Sequence, residues 1–290
     1  MLGLIRLSHA VSEGVVSVPT FVKIPLADGS STWQARCSLN KTRPQEKPLY
    51  LYAGYGGAGC ASSRTLASRK AICEVLERWA FDVCRQDLRD RVKYSFDSNP
   101  TTDGMAAFPE FKCRNVRNKA KHEAVERWAL LAWWKGLLPN TPPTIEKNGL
   151  RRSEILTPFG PRCHLVWADQ SDLRAYGFAC DLNRTDARYR SLVELSRNQL
   201  VLANWDREPL PSRASLIERR LLHFASKEGV DEFEARITIS AKISSLPPTP
   251  RLLADQEIIG DWTKYVKVWR TVYEEEPSWD DRDRPDIFRF

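Results

Sequence analysis

The chain has 290 residues, of which 42% are hydrophobic and 28% are charged, a balance typical of a folded globular protein rather than a disordered one. The net charge is +7, but the 44 basic residues are interspersed with 37 acidic ones and form no long run of like charge, which disfavours a nucleic-acid-binding protein. No two of the seven cysteines form a Cys-x-x-Cys pair, and no apolar run is long enough to span a membrane. We therefore expect reduced thiols, no signal peptide, no membrane association and a cytoplasmic location.

The first part of the chain, residues 1–50, is predicted to consist of strands and turns. Val15 to Ile24 is rich in β-branched residues, and Ser31 to Leu39 is predicted to be a returning strand after a turn at residues 27–29. The glycines from Gly54 to Gly59 then predict a flexible loop. This segment is not a phosphate-binding P-loop, because no Gly-Lys-Ser/Thr follows it.

Helical periodicity dominates the next part of the chain. Apolar residues recur at three- and four-residue steps from Arg64 to about Leu88, and a second helix is predicted from Val116 to Trp134. Between them, Asp97 to Gly104 is predicted to be a loop. Further helices are predicted at residues 188–202 and 215–227.

The remaining pattern alternates irregularly between strands and loops. Residues 140–160 are rich in proline and glycine and are predicted to be a loop. Without regular βαβ spacing, we expect an α+β fold with mixed or antiparallel sheets and helices packed on them. Strands are predicted at residues 163–168, 175–180, 236–243 and 265–273.

The most informative feature is an internal repeat. Residues 71–80 and 120–129 share six of ten positions, including Glu-x-x-Glu-Arg-Trp-Ala, and both segments lie on predicted helices. Each follows a Gly/Ala-rich stretch that we expect to be a loop, Gly54 to Gly59 before the first and Gly104 to Ala107 before the second.

The spacing of this repeat places its charged residues on one face of each helix. Carboxylates suit magnesium, arginines suit phosphate oxygens, and a site with both suits a magnesium–nucleotide complex. A single Glu-x-x-Glu-Arg is typical of a solvated helix face, and an old duplication kept for packing is an alternative explanation of the pair. The residues concerned are Glu74, Glu77 and Arg78 in the first copy and Glu123, Glu126 and Arg127 in the second, while the third helix offers Glu194, Arg197 and Asn198.

These motifs resemble those of the YcaO family, whose first helix reads Ser-x-x-x-Glu-x-x-Glu-Arg and whose second reads Glu-x-x-Glu-Arg-Asp-Ala after an Asn-Gly-Leu-Ala-Ala-Gly-like loop. The matching segments are Lys70 to Arg78, Asp103 to Ala107 and Glu123 to Ala129. The resemblance extends over about residues 50–275. The chain departs from the family pattern at Lys70, Trp128 and Arg197, and it is short for the family.

The resemblance implies a single YcaO-like domain over residues 1–290, with residues 276–290 as a C-terminal tail. It also implies that ATP and magnesium are the cofactors. The expected nucleotide-binding residues are Lys70, Glu74, Glu77, Arg78, Glu123, Glu126, Arg127, Glu194, Arg197 and Asn198, of which Glu74, Glu77, Glu123 and Glu126 are the expected magnesium ligands.

The activity implied by the resemblance is ATP-dependent activation of backbone amides in a ribosomally made precursor peptide. Cys, Ser or Thr side chains of the peptide are cyclised to thiazoline or oxazoline, as in antibiotic biosynthesis. The implied partners are an E1-like leader-binding protein and a flavin dehydrogenase that oxidises the product to thiazole or oxazole. The ten tryptophans favour such a hetero-oligomeric complex. The alternative is a catalytically inactive YcaO-like scaffold subunit of a peptide-modifying synthetase, which the altered positions 70, 128 and 197 favour.

Overall fold

The computed structural model describes residues 2–40, 56–96, 103–109, 113–146, 148–170, 173–205, 215–274 and 284–288. Helices and strands alternate irregularly along these ranges. The helices are α1 (Leu2–Ser12), α2 (Arg64–Gln86), α3 (Leu88–Lys93), α4 (Cys113–Trp134), α5 (Arg184–Ala203), α6 (Leu216–Ala225) and α7 (Lys227–Ser240). The strands are β1 (Thr20–Pro25), β2 (Ser31–Cys37), β3 (Gly57–Ala61), β4 (Asp103–Phe108), β5 (Thr144–Ile145), β6 (Arg151–Ile155), β7 (Arg162–Gln170), β8 (Leu173–Asp181), β9 (Leu252–Ile258) and β10 (Lys267–Tyr273).

The described strands form three antiparallel sheets, in the orders β1-β2-β3, β4-β10-β9 and β5-β6-β7-β8. One long helix packs against each sheet: α2 on β3 and β2, α4 on β4 and β10, and α5 on β8 and β7. The predicted α+β fold with antiparallel sheets and packed helices is therefore confirmed, whereas the single domain over residues 1–290 stays a prediction.

Each helix approaches its strand so closely that only glycine fits between them. A Cβ atom built on Gly57, Gly104 or Gly177 would lie 2.0 to 2.1 Å from a helix carbonyl oxygen. Such a contact is far inside van der Waals distance, and the backbone cannot yield as a flexible side chain would. The structure therefore contains three copies of one strand–helix unit, of which the sequence repeat indicated two. The carbonyl groups met by the three glycines belong to Ala71, Ala120 and Ser191.

The predicted loop character of the two Gly/Ala-rich stretches is wrong for their described residues. Gly57–Ala61 is strand β3 and Asp103–Phe108 is strand β4, while residues 54 and 55 lie outside the described residues. Glycine normally weakens a strand, but it is also the residue that lets another backbone come close. The glycine is visible in the sequence, but the helix backbone that packs against it and makes it necessary is not, so the segment looks like a loop.

A strand predicted at residues 236–243 is also wrong, because α7 continues to Ser240. Ser226 caps this helix by accepting a hydrogen bond from the Gly229 N–H, and Phe233 and Ile237 bury one face at a four-residue step. The strand-like alternation comes from β-branched residues near the end of the helix. One of them, Ile239, is 55% exposed, so these residues do not share one buried face as they would in a strand. Tertiary packing overrides the strand propensity here.

Other differences concern short elements. The N-terminal region begins with α1, not with a strand, because Leu7 and Ala10 are buried at a three-residue step. The predicted loop at residues 140–160 contains β5 and β6, and β9 was not predicted. The hairpin β1–β2, the long helices α2, α4 and α5, and strands β7, β8 and β10 confirm their predictions.

Aromatic rings form the centre of the core cluster that includes Trp133 of α4. Phe288, in the segment at residues 284–288, is fully buried, with ring centroids of Tyr176, Phe224 and Phe233 at 5.0 to 5.2 Å. Trp133 packs on the same ring at 5.7 Å. Tryptophans thus contribute to the core as well as to any interface. Among the described helices, none has the length and apolarity needed to cross a lipid bilayer.

Candidate functional site

The three strand–helix units also repeat a hydrogen bond that fixes the position of the helix along its strand. In each unit, the small helix residue is the one whose carbonyl group faces the strand glycine: Ala71, Ala120 or Ser191. The side chain seven positions after it donates a hydrogen bond to the carbonyl group of the residue just before that glycine. Arg78 donates to Gly56, and Arg127 donates to Asp103 at 2.9 Å. In the third unit, Asn198 is buried and its amide donates to the Tyr176 carbonyl at 2.9 Å. Asn198 therefore corresponds to the two arginines.

The glutamate three positions after the small residue is held in place in all three units. Glu74 accepts a hydrogen bond from the Ala58 N–H at 3.0 Å and a second from Arg78 at 2.6 Å. Glu194 accepts one from the Phe178 N–H at 2.9 Å. Glu123 instead accepts from Arg127 at 2.7 Å. These glutamates are oriented by the strand or by the helix itself.

The three helices meet at these charged faces. The pKa of Glu77 on α2 is raised well above its usual value by burial, and the Glu123 carboxylate on α4 raises it further. Glu126 on α4 accepts a hydrogen bond from the Cys180 N–H of β8 at 2.7 Å and pairs with Arg190 on α5 at 3.4 Å. The predicted site residues of α2, α4 and α5 therefore surround one region. The sequence repeat indicated only α2 and α4 as a pair, and α5 adds a third side.

Burial in this region strongly perturbs its ionisable groups. Burial raises the pKa of Glu194 to about 8, with the nearby Glu126 carboxylate adding to the effect. Burial also raises the pKa of Glu126, although Arg190 opposes this. The pKa of Lys70 is lowered by burial and by Arg190. Clusters of carboxylates and basic groups with shifted pKa values are characteristic of functional sites.

Three charged groups in this region have no hydrogen-bond or ion-pair partner among the described residues. Within the described ranges, no hydrogen bond or ion pair engages the Glu77 carboxylate, the Lys119 ammonium group or the Arg197 guanidinium, and each side chain is only partly exposed. A partly buried carboxylate beside like charges is stabilised by a cation, and an unpaired guanidinium by an anion. These residues therefore fit a magnesium–phosphate ligand.

The carboxylates do not by themselves enclose a metal ion. In the described part of the chain, no three histidine, cysteine, aspartate or glutamate side chains are close enough together to hold one. This arrangement is compatible with magnesium, which is commonly bound by one or two carboxylates together with substrate phosphates and water. The assignment of Glu74, Glu77, Glu123 and Glu126 as magnesium ligands stays a prediction.

Sequence reasoning missed several residues of this region. Lys119 and Arg190 are equivalent to Lys70 in the repeat, and extending the alignment of the two sequence copies by one residue would have found Lys119. Asp103 is 2% exposed and accepts hydrogen bonds from Arg127 at 2.7 Å and from Arg270 at 3.2 Å. No local pattern indicates Asp103 or Arg270, because their pairing joins residues far apart in the chain.

His122 lies beside the cluster, and its electrostatic neighbours include Lys119 and Arg190. Its Nδ1 is 3.4 Å from the Asp181 carboxylate, and Arg190 also contacts Asp181 at 3.3 Å. Burial lowers the pKa of His122, although Asp181 opposes this effect. His122 is therefore largely neutral at pH 7, and it links α4 to the end of β8.

Comparisons with known proteins were made by sequence and by structure. No family model matches the sequence, and no curated protein matches it. Among solved structures, YcaO from Methanopyrus kandleri, bound with AMPPCP and Mg²⁺, is 13% identical with a TM-score of 0.50, and the match covers 94% of this chain and 90% of that one. A heterocyclase in complex with substrate and cofactor is 10% identical with a TM-score of 0.57, covering 94% of this chain and 52% of that one.

The fold of this chain is therefore an α+β architecture shared with these two solved structures. More specifically, it is the YcaO fold, as the two structural matches show along nearly the whole chain. The resemblance to the YcaO family that the Glu-x-x-Glu-Arg motifs indicated is confirmed at the level of the fold.

Proposed function

We propose that this chain binds ATP and magnesium between α2, α4 and α5 and uses them to activate backbone amides of a peptide. The observation that carries this proposal is a set of partly buried charges that pair with no described residue: the carboxylate of Glu77 and the cationic groups of Lys119 and Arg197. The nucleotide analogue and Mg²⁺ bound to the structurally similar M. kandleri protein support the same ligand.

Each group has a role that follows from its chemistry. Glu77 and its carboxylate neighbours would hold the magnesium ion, which supplies charge neutralisation for the phosphate chain. Arg197 and Lys119 would donate to phosphate oxygens. Arg127 is held by Asp103 and Glu123, so it would contribute a fixed positive charge at no cost of reorientation.

The reaction we propose is cyclodehydration of Cys, Ser or Thr in a ribosomally made peptide. The thiol or hydroxyl group of the peptide loses its proton and attacks the carbonyl carbon of the preceding residue, and the former carbonyl oxygen, now an alkoxide, takes the terminal phosphoryl group of ATP. That oxygen then leaves in inorganic phosphate as the C=N bond forms, giving thiazoline or oxazoline and ADP. A heterocyclase with bound substrate has a similar fold, which supports a peptide substrate, and an E1-like partner would present it.

The first experiment is calorimetry of ATP binding with and without magnesium, on the wild type and on Glu77→Gln. Glu77 is the best position to change because its carboxylate makes no hydrogen bond that the folded protein would lose. The matched control is Glu274→Gln, which removes a carboxylate from an exposed ion pair with Arg251. We expect magnesium-dependent binding in the wild type and the control, and at least about a tenfold loss in Glu77→Gln. A folded wild type that binds no ATP in the presence of magnesium, alone and with its partner, would contradict the proposal.

The second candidate is a catalytically inactive scaffold of the same fold. The observation that favours it is the bond from Lys70 to the Cys60 carbonyl at 2.9 Å, which places a fixed basic residue where the family has serine. ATP binding without ATP hydrolysis, measured in the presence of peptide and partner, would support this second candidate. Phosphate release that depends on the peptide would exclude it.

A further inference from the structure

The residue that precedes the small helix residue is basic in all three strand–helix units. These residues are Lys70, Lys119 and Arg190. In two units the basic group is fixed to the strand: Lys70 donates to the Cys60 carbonyl at 2.9 Å, and Arg190 donates to the Cys180 carbonyl at 3.0 Å. Both carbonyl groups lie three residues beyond the glycine of the strand, so the contact is part of the repeated geometry.

The second unit breaks this pattern. The equivalent carbonyl group belongs to Ala107 of β4, and Lys119 makes no hydrogen bond to it or to any other described residue. Its electrostatic neighbours are Arg190 and the carboxylates of Glu123, Glu126 and Glu77. The ammonium group therefore interacts electrostatically with three carboxylates of two helices and forms an ion pair with none of them.

Burial and the nearby Arg190 lower the pKa of Lys119, whereas the three carboxylates favour its charged form. A cation at such a position has two physical consequences. It competes with a divalent metal ion for the same carboxylates, since like charges repel strongly in a partly buried environment. It also attracts a polyphosphate directly, because a charged donor forms strong hydrogen bonds to phosphate oxygens. Lys119 therefore weakens the binding of a divalent metal ion alone and strengthens the binding of a polyphosphate.

We infer that Lys119 is an internal cation of the site, which contacts the phosphate chain of a nucleoside triphosphate and replaces part of the magnesium requirement. This inference rests on the proposed function for its nucleotide, and it assigns Lys119 a specificity-determining role: magnesium still strengthens binding of the triphosphate, but by less than it would without this lysine. Lys70 and Arg190 cannot act in this way without giving up their bonds to the strands.

The test uses the full chain with Lys119→Met, Lys119→Arg and the control Lys121→Met. Lys121 is on the same helix two residues further on, and its ammonium group pairs with Asp255 at 3.1 Å. Calorimetry measures ATP binding in the presence of a chelator and at saturating magnesium. Electron paramagnetic resonance measures binding of Mn²⁺ alone to the nucleotide-free protein.

We expect Lys119→Met to bind magnesium-free ATP at least roughly tenfold more weakly than the wild type, and to bind Mn²⁺ alone several-fold more tightly. Lys119→Arg, which keeps the charge, should restore magnesium-free ATP binding, and Lys121→Met should behave as the wild type. A purely structural role of Lys119 would weaken both ligands together.

Loss of both affinities in Lys119→Met, or no change in either, would overturn the inference. If the wild type binds no ATP under any condition, the proposed function fails, and the Mn²⁺ measurement then decides separately whether Lys119 acts as an internal cation. Tighter Mn²⁺ binding by Lys119→Met would sustain the competition with metal, and unchanged Mn²⁺ binding would refute it.

Discussion

Replacing Asp103 by Asn should destabilise the protein severely, because this carboxylate neutralises a buried arginine. Asp103 is 2% exposed, and the Arg270 side chain beside it is fully buried. Together with Arg127 and Glu123 they form a group of two positive and two negative charges. Asn has nearly the same size, but the group then carries one uncompensated positive charge in the interior.

The magnitude follows from which arginine can reach water. Arg127 is 34% exposed and keeps its bond to Glu123, so it contributes little to the loss. Arg270 packs on the Phe96 ring at 3.9 Å and donates to the Tyr94 carbonyl, so its charge stays in place. Breaking a buried ion pair in this way costs about 3–5 kcal/mol, a large part of the roughly 5–15 kcal/mol that stabilises a typical domain.

Urea denaturation followed by circular dichroism and fluorescence at pH 7 measures this loss. The matched control is Asp231→Asn, which removes a carboxylate from an exposed pair with Lys227 and should cost no more than about 0.5 kcal/mol. The double variant Asp103→Leu with Arg270→Met should recover much of the loss, since an apolar pair needs no neutralisation. A free energy of unfolding for Asp103→Asn within error of that for Asp231→Asn would refute the reasoning.

Three further predictions concern the third unit and its support. Gly177→Ala should lower the free energy of unfolding by about 3 kcal/mol or more, because the new Cβ would meet the Ser191 carbonyl at 2.1 Å, whereas Gly29→Ala, in an open turn at positive φ, should cost only about 1 kcal/mol; equal losses in urea denaturation would contradict the close contact. Burial raises the pKa of Glu194 from 4.5 to about 8, so its contribution to stability is complete below pH 4.5 and is lost as the pH rises to about 8. The melting temperature should therefore fall between about pH 4.5 and pH 8, less steeply in Glu194→Gln, and parallel curves for the two proteins would disprove this. Phe288→Ala should cost about 3–5 kcal/mol by calorimetric unfolding, because the ring is fully buried in an aromatic cluster, and a loss below about 1 kcal/mol would show that the C-terminal segment does not stabilise the core.

The long helices of the site could be predicted because their signals are local. The apolar residues of α2 and α4 recur at helical steps, and Glu-x-x-Glu-Arg is visible as a repeat without any knowledge of the fold. The third copy escaped notice as a repeat because its equivalent positions read Glu194, Arg197 and Asn198, so only the geometry relates it to the other two.

Strands β3 and β4 of the site could not be predicted, because their sequence is determined by the helices that pack against them. Gly57 and Gly104 are typical of a loop when considered alone, and they are required in β3 and β4 only because α2 and α4 lie against them. Asp103 and Arg270 illustrate the same limit, since their pairing brings together parts of the chain that share no sequence pattern.

The backbone contact between glycine and helix has a consequence for how such a protein can change over time. In each unit the helix is placed by main-chain atoms and by one bond to a strand carbonyl. Charged side chains that bond to no described residue, those of Glu77, Lys119 and Arg197, therefore contribute little to folding. Replacing them would alter which ligands the proposed site accepts without moving the scaffold. A chain can therefore retain this architecture at 10% to 13% identity to proteins of similar fold while its ligand preference drifts, and Lys119 is a position where such a change would act.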